Sequence, residues 1–335
     1  MRVAVLAPVA WRTPPRHYGP WEQVASNITE GLAKVGIDVT LFATGDSVTA
    51  GKLFSVCDAG YEEDRTQDAK VLECMHISNL MEKAGDFDII HNNFDFLPLT
   101  YSALVKTPFI TTIHGFSSPR IIPVYKKYND SGYYVSISDA DRSPELKYLA
   151  TVYNGLNIKH FEFNNAPKDY LLYFGRIHPD KGTAEAIAIA KKSKRKLLIA
   201  GLVQDHTYFR EKIQPELNSA IEYVGNAESN QRNELLKNAY ALLHPINFDE
   251  PFGMSVAEAM LCGTPVIAFN RGSMPELIQH EKTGFLVANI DEAVEAVGTV
   301  KFIKREDCHT WASSTFSAEK MVDSYLKLYK KILAK

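Results

Sequence analysis

Residues 170–200 read YLLYFGRIHPDKGTAEAIAIAKKSKRKLLIA, and this stretch decides the fold. Tyr170–Phe174 is a short apolar run with the look of a buried strand, and Gly175 ends it. Thr183–Lys192 reads as a helix and Lys196–Ala200 as a second strand. Strand, helix and strand in succession are the signature of a parallel sheet with helical crossovers. The same alternation continues toward the C-terminus. Strands are predicted at Ile221–Val224, Ala241–His244, Pro265–Phe269 and Phe285–Val287, with helices at Arg232–Ala239, Ser255–Leu261 and Asp291–Val297. Upstream, Asn154–Lys168 (NGLNIKHFEFNNAPK) loses periodicity and is rich in Asn, so it is read as a linker. Before it, strands are predicted at Arg2–Ala7, Val39–Ala43, Asp88–His91, Phe109–His114, Tyr133–Ser138 and Thr151–Tyr153. Trp21, Val24, Ala25, Ile28, Leu32 and Val35 follow helical spacing between the first two, with Gly19 as cap and Pro20 in the first turn. The expectation is α/β: two Rossmann-like domains, residues 1–160 and 161–316, with a cleft at the carboxyl ends of their strands, where such sheets bind ligands.

Composition bounds the function. The chain has 335 residues, enough for about two domains of ~150 residues, and 45% apolar with 23% charged residues is the balance of an ordinary globular enzyme. A net charge of −3 argues against a nucleic-acid binder, whose footprint is a basic patch. The densest basic run, Lys191, Lys192, Lys194, Arg195 and Lys196, is read as a solvated helix end. Cys57, Cys74, Cys262 and Cys308 form no C-x-x-C pair, which fits free thiols in a reducing cytoplasm. No apolar run reaches the ~20 residues of a membrane span, so a soluble cytoplasmic protein is expected.

Four stretches carry chemistry. In Gly175-Arg176-Ile177-His178-Pro179-Asp180-Lys181-Gly182, two cations lie at a strand-to-helix turn. They suit a diphosphate; a surface turn with solvated charges is the alternative. The stretch is no P-loop, because G-x-x-x-x-G-K-[ST] is absent. In Glu250-Pro251-Phe252-Gly253-Met254-Ser255-Val256-Ala257-Glu258, a loop carboxylate precedes a helix that holds a second one. Phe252-Gly253 lets backbone approach a ligand, and the helix start at Met254, Ser255 and Val256 suits anionic oxygen. A helical span would put the two acids ~12 Å apart, which disfavours a glycosidase pair at about 5–9.5 Å, although a loop could shorten it. His114-Gly115 ends a strand, where a histidine points into the cleft or is a satisfied structural residue. Asp139-Ala140-Asp141 follows a strand and is read as opening a helix by N-capping rather than as a metal-binding D-x-D triplet. No metal-ligand spacing is found. A nicotinamide dehydrogenase would need G-x-G-x-x-G after the first strand, and Ala7–Arg12 is not that.

Taken together, Gly175-Arg176 with Lys181-Gly182, the E-x7-E pair Glu250/Glu258, Gly263-Thr264-Pro265-Val266-Ile267, Arg271–Glu276, His114-Gly115, Asn154-Gly155 and Trp311…Phe316-Ser317 resemble the family-4 glycosyltransferases, of the group 1 glycosyl transferases, over essentially the whole chain. The resemblance implies the GT-B fold, with a last helix, 317–335, crossing back to the first domain. It implies retaining transfer of a hexose from a nucleoside-diphosphate sugar, UDP-glucose first and GDP-mannose second, with no cofactor and no metal. Arg176 and Lys181 would hold the diphosphate, Glu258 the ribose and Glu250 the transferred sugar, with Gly19, Gly175, Val224 and the Phe252–Val256 backbone around the donor and His114 beside the reacting carbon. The acceptor is a small molecule, a saccharide or a lipid-linked hydroxyl. Its candidate contacts are Arg12, Arg16, His17 and Tyr18, in a loop where Gly19-Pro20 replaces the usual Gly-Gly and Pro20 has no N–H to donate. An epimerase or hydrolase of the same fold, or a non-catalytic sugar-binding protein, are the alternatives.

Overall fold

The computed structural model describes every residue except His17, Ser117, Glu228 and Lys335, and Ser229 without its side chain. The chain forms two compact units. One comprises Met1–Leu156 with Ala318–Lys335, and the other Asn157–Ser317.

In the first unit seven strands are all parallel: β1 (Arg2–Leu6), β2 (Asp38–Phe42), β3 (Lys52–Phe54), β4 (Ile89–Asn92), β5 (Phe109–Ile113), β6 (Tyr133–Ser136) and β7 (Tyr148–Thr151), in the order β3-β2-β1-β4-β5-β6-β7. Side chains alternate across β1. Val3 and Val5 join a core with Val24, Ile28 and Leu32 of the Pro20–Lys34 helix and with Met321, Val322, Tyr325, Tyr329 and Ile332 of the Ala318–Leu333 helix. Ala4 and Leu6 join a second core with Ile77 and Leu80 of the Ala69–Glu82 helix. Burial on both faces is why the strand reads as an unbroken apolar run. The last helix is amphipathic, and its apolar stripe covers the first of these cores.

Two strands depart from the sequence reading. Three-residue β3 is an exposed edge with little apolar pattern. The seventh strand ends at Thr151 instead of running over Thr151–Tyr153, and its pairing with β6 is irregular at Tyr134/Val135.

The second unit repeats the design with β8 (Leu171–Phe174), β9 (Leu197–Ala200), β10 (Ile221–Tyr223), β11 (Ala241–His244), β12 (Val266–Phe269) and β13 (Gly284–Val287), parallel in the order β10-β9-β8-β11-β12-β13. The stretch read as a linker is largely bonded into this unit. Glu162 N donates to Asn233 Oδ1 at 3.0 Å, Asn164 N to Cys262 O at 3.2 Å, and Arg305 Nε to Asn164 O at 2.6 Å. The units divide at Leu156/Asn157 and Ser317/Ala318.

Four of the five residues of the basic run are paired, Lys191 with Glu216, Lys192 with Asp291, Arg195 with Asp169 and Lys196 with Glu222, and the fifth, Lys194, is the C-cap of the Thr183–Ser193 helix. The Asp139-Ala140-Asp141 triplet lies in a turn and does not open a helix. Asp139 is taken up by the Thr151 hydroxyl and Arg142, and Ser138 Oγ accepts from Asp141 N at 3.1 Å. All four cysteines are free. Among the described residues, no helix is long and apolar enough to cross a membrane, and no group of three or more His, Cys, Asp or Glu is placed to hold a metal ion.

Candidate active site

In each unit the strand order reverses direction once, and ligands of such sheets bind where it does, beyond the carboxyl ends of the two strands involved. In the second unit that point lies between β8 and β11, from which the chain winds outward to β10 on one side and β13 on the other. The loops leaving β8 and β11 are Gly175–Gly182 and Pro245–Gly253; the first was singled out from the sequence, and the second ends in the start of the other such stretch, Glu250–Glu258.

Glycines bring these loops together. Gly182 has φ +74°, and a Cβ there would overlap the Pro245 carbonyl oxygen. Gly272 has φ +54°, and a Cβ would run into the Glu250 main chain. Ser273 N also donates to Glu250 O at 2.9 Å, and Ser273 Oγ to Phe252 O at 2.7 Å. The backbone of Glu250 is therefore clamped. Its side chain meets Lys181, with Nζ 2.5 Å from Oε2; the two side chains are only 14% and 13% exposed. Lys181 Nζ also lies 4.5 Å from the centre of the Phe248 ring, a cation–π contact. Arg176 Nη1 bonds Gln204 Oε1, and Tyr173 Oη donates to Arg176 O at 2.8 Å. Gly175 and Val224 lie by the ends of neighbouring strands: Gly175 N donates to Ala200 O at 3.0 Å and Val224 N to Ile199 O at 2.9 Å.

The Met254–Leu261 helix starts from Gly253. Val256 N already donates to Gly253 O at 3.0 Å, and the Val256 and Phe252 side chains are buried in the core. Among the described residues nothing accepts from the N–H groups of Met254 and Ser255, the free donors of a helix N-terminus. Glu258 lies inside this helix, 6% exposed, with Oε1 3.3 Å from Arg232 Nη1. Burial raises its pKa, and Arg232 opposes that. The two acids thus have separate cations.

The sequence reading passed over His244 at the end of β11. It is 6% exposed, and its Nε2 lies 3.7 Å from Glu250 Oε2. Burial lowers its pKa to about 4; Glu250 counteracts this and Lys181 adds to it. A histidine ending a strand, as in His114-Gly115, was the available signal.

In the first unit the reversal lies between β1 and β4. Asn93 follows β4 and His114 follows the adjacent β5. His114 Nε2 donates to Asn93 Oδ1 at 3.0 Å, and the imidazole stacks on Trp21 at 5.7 Å. Burial lowers its pKa to about 3, so the ring is neutral, and Nδ1 is buried without a partner among the described residues. Gly19 is the N-cap of the Pro20–Lys34 helix, whose backbone bond from Gln23 N it accepts at 2.9 Å. The Arg12 guanidinium holds its own loop, donating to Asp46 O at 2.8 Å and Pro14 O at 2.9 Å. Arg16 pairs with Asp46 at 3.0 Å and Glu63 at 2.9 Å. Tyr18 packs edge-on to Trp11 at 6.2 Å; His17 lies outside the described residues.

Comparison with known proteins adds the rest. The family model "Glycosyl transferases group 1" matches residues 157–333. An uncharacterized 41.2 kDa protein in the cps region of Klebsiella pneumoniae is 30% identical over 292 residues, covering 74% of this chain and 80% of that protein. AviGT4, a glycosyltransferase involved in avilamycin A biosynthesis, superposes with a TM-score of 0.78 at 22% identity, covering 100% of this chain and 98% of its own. HepE of Anabaena in complex with UDP-glucose gives 0.74 at 17% identity, over 99% and 100% of the two chains. The structural likenesses show the fold: two Rossmann-like domains, the GT-B fold.

Proposed function

The chain belongs to the glycosyl transferases group 1 family, and from that premise we propose that it moves a hexose, with retention, from a nucleoside-diphosphate sugar to a hydroxyl acceptor without a divalent metal. The observation that carries this reading is the Lys181–Glu250 pair at the reversal point of the second sheet, beside the unused N–H groups of Met254 and Ser255. UDP-glucose is the first donor to test, because HepE was crystallised with it.

In this reading Lys181 and Arg176 engage the diphosphate. As the bond from sugar C1 to the phosphate oxygen breaks, its electron pair goes to that oxygen, and cations and helix N–H groups already in place stabilise the growing charge. They supply the positive charge that a divalent ion would otherwise bring. Glu250, released by Lys181, accepts from a hydroxyl of the transferred sugar. The acceptor oxygen attacks C1 from the face the phosphate leaves, and the departing phosphate takes its proton. Glu258 and Val224 are assigned to the nucleoside, Glu258 exchanging Arg232 for a ribose hydroxyl. His114 serves as a neutral hydrogen-bonding group for the reacting sugar. Arg12, Arg16, His17 and Tyr18 are kept for the acceptor side, Arg12 through the loop it holds in shape.

The test is turnover with UDP-glucose in EDTA, with GDP-mannose as the second donor, followed by the anomeric configuration of the product. An α-linked product formed at undiminished rate in EDTA is expected. Inversion at C1, or activity recovered only with added Mg²⁺ or Mn²⁺, overturns the mechanism.

A further inference from the structure

The donor reading leaves one buried group without work. His244 Nε2 is fully enclosed and has no hydrogen-bond partner among the described residues. It faces the oxygen of Glu250 that Lys181 holds: Lys181 Nζ is 2.5 Å from Oε2 and His244 Nε2 is 3.7 Å from it, beyond hydrogen-bond range. Because Gly272 and Ser273 clamp the Glu250 main chain, only the side chain is free to adjust. A carboxylate this enclosed does not stay without a donor once its cation leaves.

We propose that His244 is a positioning residue for Glu250: when Lys181 turns to the donor's diphosphate, the imidazole Nε2–H donates to the Oε2 that Lys181 has left and holds the carboxylate toward the transferred sugar. The proposal rests on the assignment of Lys181 and Glu250 to the donor made above. A shift of about 1 Å brings Nε2 and Oε2 to a normal hydrogen-bond distance, less than a change of rotamer. The groups facing Glu250 are Lys181 from the loop after β8 and His244 from the end of β11, with the Tyr173 phenol of β8 within electrostatic reach. Burial keeps the imidazole neutral at physiological pH, so it supplies a hydrogen bond without a second positive charge to compete for the diphosphate. Gly182 packed on Pro245, next to His244 in the chain, explains how one turn brings both donors to a single oxygen.

Isothermal titration separates this role from packing. UDP lacks the sugar that Glu250 is assigned to hold, so the gain in affinity from UDP to UDP-glucose reads that contact; GDP and GDP-mannose replace the pair if the chain prefers guanine. His244→Phe is expected to cut the sugar's gain about tenfold, the worth of one hydrogen bond. His244→Gln, which keeps an N–H donor, is expected to recover most of it. Glu250→Ala is the control. If Glu250→Ala abolishes the gain and His244→Phe does not, the His244 proposal is wrong and the donor reading stands. If Glu250→Ala also leaves the gain intact, the donor reading of Glu250 is wrong as well. Nitrogen-15 NMR of the wild-type imidazole needs no variant to fold. UDP, whose diphosphate draws Lys181 away from Glu250, is expected to shift the Nε2–H proton of His244 downfield, and UDP-glucose to do the same. A ring that responds to neither nucleotide overturns the proposal.

Discussion

The two sheets repeat one architecture, yet their reversal points carry opposite chemistry. In the second unit the site is ionic: Lys181 on Glu250, Arg232 on Glu258, and Arg176 on an amide oxygen. In the first the buried histidines are neutral, and the charges lie in the loop after β1, where Arg16 pairs with Asp46 and Glu63. His76, His91 and His114 are all buried, with pKa values lowered to about 4, 3 and 3, chiefly by burial; for His91 the nearby His114 adds to the effect. They hold hydrogen bonds, not charge. The contrast matches a division of labour in which charge meets a diphosphate and neutral polar groups meet sugar hydroxyls. It also says where substitution should hurt catalysis and where it should hurt only folding.

The largest expected effect is on the ionic side. Lys181→Ala and Arg176→Ala are each expected to lower kcat/KM by about 10²–10³, the scale for one lost transition-state donor, and mainly through kcat, since diphosphate charge grows as the bond breaks. Steady-state kinetics with UDP-glucose measure it. The double variant should lose less than the product of the two, because both cations serve one anion. Folded single variants within threefold of wild type would reduce Lys181–Glu250 to an ordinary surface pair and dissolve the contrast.

The ionic half was far more legible in the sequence than the neutral half. Strand–turn–helix order placed Gly175–Gly182 and Glu250–Glu258 beyond strand ends, and charged residues in glycine turns announce themselves. Their pairing did not: nothing in the spacing says that Lys181 meets Glu250, 69 positions away, or that Glu258 meets Arg232. That depends on strand order, which brings β11 beside β8. His244 escaped notice because a histidine closing an apolar strand looks like core. In the first unit the Ala69–Glu82 helix was not read, because its apolar residues do not form one stripe: Val71 and Met75 are exposed while Leu72, Ile77 and Leu80 are buried. The Trp21–His114–Asn93 cluster joins three distant segments, and nothing in the sequence says that the Arg12 guanidinium, read as an acceptor contact, also holds the Asp46 and Pro14 carbonyls.

The first unit also holds acids whose pKa burial raises, Glu22, Glu73 and Asp95, and Glu22 sharpens the comparison. Glu22, in the first turn of the Pro20–Lys34 helix, is 3% exposed. Burial pushes its pKa up from 4.5 to about 7, opposed by backbone hydrogen bonds from Glu22 itself and Trp11, while Glu63 raises it further. The folded state therefore holds the proton more tightly than the unfolded chain. The stabilisation is complete below pH 4.5 and is lost as pH rises through 7. A difference of this size corresponds to about 3 kcal/mol. Amide hydrogen exchange in the Pro20–Lys34 helix should fall in protection from pH 5 to pH 8, after correction for intrinsic rates, and Glu22→Gln should remove most of that slope. An unchanged slope in the variant assigns the effect to some other group.

The smallest effect tests whether the neutral network is structural. The returning helix puts two phenols into the first sheet. Tyr329 Oη lies 2.6 Å from His91 Nδ1, and Tyr325 Oη lies 2.7 Å from Thr112 Oγ1, which in turn lies 2.7 Å from His91 Nε2. The two positions look alike but are not equivalent. Tyr329→Phe leaves His91 Nδ1 buried with no partner, and an orphaned polar atom costs about 1–3 kcal/mol. Tyr325→Phe leaves Thr112 Oγ1 still bonded to His91, so only the net worth of one hydrogen bond is lost, about 1 kcal/mol. Hydrogen exchange of the β4 and β5 amides should rank the variants in that order, with kcat/KM within about twofold of wild type for both. Equal losses would mean that the network rearranges around His91. A fall in kcat without loss of protection would instead make the returning helix part of the catalytic apparatus, through the His91–Thr112 pair that precedes Asn93 and His114 on the same two chain segments.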